Sequence, residues 1–138
     1  MLIICPDCWR ELTTPTTVCP KCGAHIVVDS PEYEPRLVST LARADAEMRA
    51  HICWALGSRR QRSSVRVLVK LLRDPDVVVR IAALRGLGEI GDKSAINAVD
   101  KLTMSKETVV QSVAKKVLKM LMPATHPTGP VVRSQEKD

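Results

Sequence analysis

From about residue 36 to residue 122, apolar side chains recur at three- and four-residue spacing, as along one face of a helix. Val65, Leu68, Val69 and Leu72 share such a face, while Arg66, Lys70 and Arg73 lie on the opposite one. Gly57, Gly88 and Gly91 read as helix ends. Asp45, Asp76 and Glu107 each stand at a helix start, where negative charge is favourable. The pattern predicts six helices, over 35–44, 46–57, 64–73, 76–88, 94–104 and 107–121. Ala83, Leu84, Leu87, Leu68, Leu72, Val99 and Leu102 are expected in the core. No apolar run reaches the roughly 18 residues that a membrane span needs.

The pattern also repeats. A shift of 31 residues carries Arg49 to Arg80, Leu56 to Leu87 and Gly57 to Gly88. It carries Leu37 to Leu68 to Val99, Leu41 to Leu72, and Asp45 to Asp76 to Glu107. A third copy, Thr108 to Leu121, keeps Val110, Ala114, Val117 and Leu118 but has Gln111 for the arginine and Lys119 for the glycine. Such a period, built from two amphipathic helices, points to an α-solenoid, in which each helix pair buries its apolar stripe against its neighbours. The stretches Asp76–Leu84 and Leu87–Asp92 resemble the short HEAT-like repeats named after phycobilin lyases, over about residues 36–122. The resemblance implies second helices on the concave side, a binding role and a bacterial or archaeal style of repeat. The expected fold is mainly α: about three helix pairs behind a small N-terminal β module.

That module is signalled by cysteine. Cys5-Pro6-Asp7-Cys8 and Cys19-Pro20-Lys21-Cys22 are two C-x-x-C turns separated by ten residues. Each turn directs two thiolates at one point, and two turns close a tetrahedron around a soft cation. Four thiolates leave no open position, so one structural Zn²⁺ is expected on Cys5, Cys8, Cys19 and Cys22. Spacing alone leaves iron open. Residues 1–30 resemble a zinc ribbon, with Leu2–Ile4 before the first knuckle and His25–Val28 after the second. His25 reads as an ordinary strand residue. Trp9 is expected to cover the metal or meet the next module. Residues 31–35 read as a linker, 36–122 as the repeats and 123–138, rich in proline, as a disordered tail.

Aromatics are only 2% of the chain, with no Phe, so the core must be aliphatic. The net charge of +6 is uneven. Residues 1–35 carry two basic and five acidic side chains, whereas residues 36–122 carry 17 and eight. An acidic head thus precedes a basic body. Neither a nucleophile paired with histidine nor a phosphate loop is apparent, so the chain reads as non-enzymatic. Cys53, aligned with Leu84, reads as a buried apolar residue. Trp54 aligns with Arg85, an exposed position. Arg49 and Arg80 are expected to pair with an acid or a loop carbonyl of the neighbouring repeat.

The functional lead is a basic strip. Arg59, Arg60 and Arg62 occupy the first loop, followed by Arg66, Lys70 and Arg73, and Lys101 continues the row at Lys70 plus one period. The corresponding loop of the next repeat is apolar and acidic. These seven residues are expected to bind a partner protein with an acidic surface or segment. A nucleic acid is the alternative partner. The acidic ribbon and the shortage of aromatics for base stacking weigh against it. The reading is a cytoplasmic adaptor, with no small-molecule substrate.

Overall fold

The structure, a computed structural model, describes residues 2–122. The tail expected over 123–138 lies outside them. The N-terminal module holds a two-stranded antiparallel sheet, β1 (Ile3–Ile4) and β2 (Glu11–Leu12), with Ile3 opposite Leu12. Six helices follow: α1 (Tyr33–Ser39), α2 (Ala46–Arg59), α3 (Val65–Leu71), α4 (Val77–Ile90), α5 (Ile96–Leu102) and α6 (Thr108–Leu121). The helix count matches the expectation, and after residue 40 the described residues contain no strand. The second helices α3 and α5 are shorter than predicted, each entered through a 3₁₀ turn (Arg62–Ser64 and Lys93–Ala95). Among the described residues, no helix is long and apolar enough to cross a membrane.

The helix starts follow from sequence. Asp45 accepts a hydrogen bond from the Met48 N–H at 2.9 Å, and Asp76 accepts one from the Val78 N–H at 2.8 Å. Each satisfies a backbone donor that the first helical turn leaves open. Glu107 makes no such cap; its carboxylate accepts from Arg80 instead. Arg80 also donates to the Asp74 carbonyl at 2.7 Å, and Arg49 donates to the Ala44 carbonyl at 2.8 Å. Each arginine therefore ties its own helix to the loop before it and to the loop of the next repeat, as expected.

The first helices α2, α4 and α6 form one layer and α1, α3 and α5 the other. Between the layers lies an aliphatic core in which Leu68, Leu72, Ala83, Leu84, Leu87 and Val99 are all buried. Leu102 is only half-buried: among the described residues α5 is the last second helix, with no further helix stacked on its far side. Gly57 and Gly88 do not end helices; they lie inside α2 and α4. A Cβ on Gly57 would come within 2.6 Å of the Gly86 Cα, so α2 and α4 touch backbone to backbone there. Only Gly91 is a terminal glycine, left-handed at φ 73°.

This contact sets the geometry of the stack. α2 packs along α4, and α4 along α6, more extensively than any second helix packs on another. Grooves of about 570 and 440 Å³ open instead along α1/α3 and α3/α5. The second-helix layer is therefore the one that carries open grooves.

Candidate metal centre and partner surface

The two cysteine turns are built alike. Cys5 N–H donates to the Arg10 carbonyl and Trp9 N–H to the Cys5 carbonyl, both at 2.9 Å. Fourteen residues on, Cys19 N–H donates to Ala24 (2.8 Å) and Gly23 N–H to Cys19 (2.9 Å). The strand pairing follows the same offset, with Ile4 opposite Glu11 and Val18 bridged to His25. Trp9 and Gly23 both take left-handed backbone, at φ 66° and 78°.

The turns bring Cys5, Cys8, Cys19 and Cys22 together, with ligand atoms all within 4.8 Å of one another. The Cys5–Cys22 and Cys8–Cys19 sulfurs lie 3.7 and 3.6 Å apart, and all four cysteines are free. Thiolates about 2.3 Å from a tetrahedral zinc stand about 3.8 Å apart, so the donor set fits such an ion. N–H groups of Cys22 and Lys21 draw the Cys19 thiol down to about 6, whereas burial pushes Cys5 up to about 12. Cys19 thus offers a thiolate readily, and the remaining protons leave as a metal binds. The His25 side chain is exposed and stands outside the cluster.

The stretch expected as a linker is part of this junction. Tyr33 and Glu34 are buried. The Tyr33 hydroxyl donates to the Ile4 carbonyl at 2.9 Å and accepts from the Ile4 N–H at 3.0 Å. Arg36 donates to the His25 carbonyl (3.0 Å) and pairs with Asp7 (2.9 Å). The Leu2 N–H donates to Ser58 at 3.2 Å. Trp9 meets the helices through the Arg43 guanidinium, 5.3 Å from its ring centre. The cysteine module thus sits against α1 and α2.

The arginines expected on the loop turn out to hold it, and Arg59 is the last residue of α2 rather than part of the loop. Arg59 is 5% exposed, lies over the Tyr33 ring at 4.9 Å and donates to Glu34 at 3.0 Å, so it is no part of an open surface. Glu34 also accepts from Ser63 and Ser64, at 2.7 and 3.0 Å. A buried carboxylate needs this many partners. Arg60 reaches Glu89 in the last turn of α4 (3.6 Å) and Arg62 reaches Asp92 in the loop after it (3.5 Å), both acids of the next repeat. The cluster absent from its own repeat copy is thus answered by the copy's acids. Both arginines stay exposed, and such pairs stabilise little.

Arg66, Lys70, Arg73 and Lys101 are exposed and, among the described residues, form no ion pair. Lys70, Arg73 and Lys101 line the groove between α3 and α5, and Arg66 lines the groove beside α1. Trp54, 40% exposed on the first-helix layer, stacks edge-on against His51 at 5.1 Å. Cys53 is buried, its thiol pushed up to about 12 by burial, which leaves it inert.

Two acids central to this architecture, Glu34 and Asp74, carry no periodic mark. Asp74 receives the Arg49 fork at 2.8 and 3.0 Å and also accepts from the Asp76 N–H at 2.9 Å. Burial pushes its carboxyl up, but the Arg49 bonds and that N–H outweigh it and hold the pKa below the ordinary value. A family model described as HEAT repeats matches residues 34–119. No curated protein matches the chain.

Proposed function

The chain belongs to the HEAT-repeat family, and from that premise we propose that it is a non-enzymatic cytoplasmic adaptor that holds an acidic partner protein along its second-helix layer. The observation that carries this reading is the row Arg66, Lys70, Arg73 and Lys101. Four exposed cations share one layer and, among the described residues, form no ion pair. Packing needs neither Arg66 nor Arg73, since the neighbouring copy has Asn97 and Met104 there, whereas Lys70 recurs as Lys101. Such a row attracts an acidic surface and speeds its encounter. Arg60 and Arg62 border it. The repeats are of the phycobilin-lyase type and of bacterial style in this reading, and nothing in the row implies a lyase.

We also infer that the four cysteines hold one structural zinc, and that the metal keeps the N-terminal module seated as a cap on α1 and α2. Removing it by Cys19→Ser should unfold residues 2–28 and leave the signal of α4–α6 nearly intact, because repeat stability is local. Elemental analysis showing no stoichiometric metal, or iron as the native occupant, contradicts this assignment.

The adaptor reading is tested by capture from nuclease-treated extract of the native host. Arg66→Glu with Lys70→Glu should keep the helical signal and weaken capture of the partner about tenfold or more. A row that instead binds mixed nucleic acid at micromolar strength, with affinity falling steeply as salt rises, makes the protein a nucleic-acid binder.

A further inference from the structure

The adaptor reading leaves the chemistry of the partner open, and the inference that follows rests on that reading. The two grooves of the second-helix layer differ in what they already contain. The charged lining of the α1/α3 groove is two acids, Asp29 and Glu34, and two cations, Arg59, which is bonded to Glu34, and Arg66. Its charge is therefore answered from within. The α3/α5 groove, about 440 Å³, has Lys70, Arg73 and Lys101 among its lining and no carboxylate. Its apolar lining is Val69, Leu72, Ala98 and Leu102. The volume falls within the range of sites that take small ligands and side chains.

The repeat register explains the cation placement. Lys70 and Lys101 are one period apart, and both line the groove, one from α3 and one from α5. Like charges gathered along one groove repel. Val69, Ala98 and Leu102 on its walls are only half-buried and remain wet. Both costs are relieved by one kind of occupant, whose apolar side chains cover the floor while carboxylates meet both rims. A nucleic-acid backbone would satisfy the rims and leave the floor in water.

We propose that the α3/α5 groove receives a short acidic segment of a partner protein, anchored by apolar side chains on Ala98 and Leu102 and held by Lys70, Arg73 and Lys101. The rims give rate and register, and the floor gives specificity.

The test uses the full-length, metal-loaded protein and two short fluorescent peptides of equal glutamate content. One carries leucines at helical spacing; the other has serines in their place. Fluorescence anisotropy should show the leucine peptide binding about tenfold or more tighter than the serine peptide. Lys70→Glu with Lys101→Glu should abolish binding of both. Ala98→Phe, which fills the floor, should weaken the leucine peptide alone; Ala98→Leu serves the same purpose if the larger residue disturbs folding. Equal binding of the two peptides, indifference to both Ala98 variants, or no binding of either overturns the groove proposal. The adaptor reading survives these outcomes as long as partner capture still responds to Arg66→Glu with Lys70→Glu. Binding of duplex DNA through Lys70 and Lys101, with neither peptide bound, overturns both.

Discussion

Trp9 and Arg60 hold left-handed backbone without being glycine, at φ 66° and 56°. Each has a glycine at its internal equivalent: Gly23 one knuckle on, and Gly91 one period on. A side chain in this region costs about 1–2 kcal/mol, part of which glycine forfeits through its greater freedom when unfolded. Arg60→Gly should therefore raise stability by about 0.5 kcal/mol in denaturant titration, even after losing its exposed pair with Glu89. Unchanged or lower stability would show that the Glu89 pair matters more than the strain. Asp74 makes the opposite prediction. Its lowered pKa contributes stability that is fully present above about pH 4, the ordinary carboxylate range. That stability is lost as pH falls through the lowered folded value. Asp74→Asn should cost about 2–3 kcal/mol at neutral pH and flatten the acid limb of the stability curve. An unchanged acid limb would clear Asp74 of this role. Neither residue was legible in the sequence. The period aligns Arg60 with Gly91, but the residue type does not disclose a positive φ. Asp74 falls on Ser105 in the next copy, and its partner Arg49 lies 25 residues away.

At the level of elements, period and apolar spacing made the six helices readable, because stacking helices must present stripes at that spacing. Their glycines were misread. A glycine near the end of a helical pattern is also what a close helix crossing requires, and only the neighbouring backbone tells the two apart. Gly57→Ala should therefore destabilise by about 1–3 kcal/mol, since the obstructing atom is the Gly86 backbone rather than a side chain that could swing away. A loss no larger than tenths of a kcal/mol in thermal or chemical unfolding would mean that α2 and α4 can part freely. The end of the stack follows the same logic. Where α4 meets its neighbour with Leu84 and Gly88, α6 carries Lys115 and Lys119, both exposed. Gly88 lies close to Met120 and Val117, a close approach that a lysine at the equivalent position does not offer.

Across the whole molecule, the two layers divide the work. The first helices meet closely and bury the core, while the second helices are spaced by grooves and carry cations that, among the described residues, form no ion pair. The cysteine module closes the N-terminal end through Tyr33, Arg36 and Ser58. The cysteine cluster was legible because thiolate geometry demands short, paired spacing. The junction was not, because its bonds run largely to backbone groups that any sequence supplies. The basic strip divides in a way the spacing does not show: among the described residues its helical part makes no ion pair, whereas Arg59 is tied to Glu34 of α1, and Arg60 and Arg62 to acids of the next repeat. The central claim is that the second-helix layer is the binding face, and amide hydrogen exchange of the full-length protein, alone and with its captured partner, tests it most directly. The account predicts slowed exchange in α3 and α5 on binding, with α2, α4 and α6 unchanged. Protection confined to α2, α4 and α6, or to the cysteine module, would contradict it.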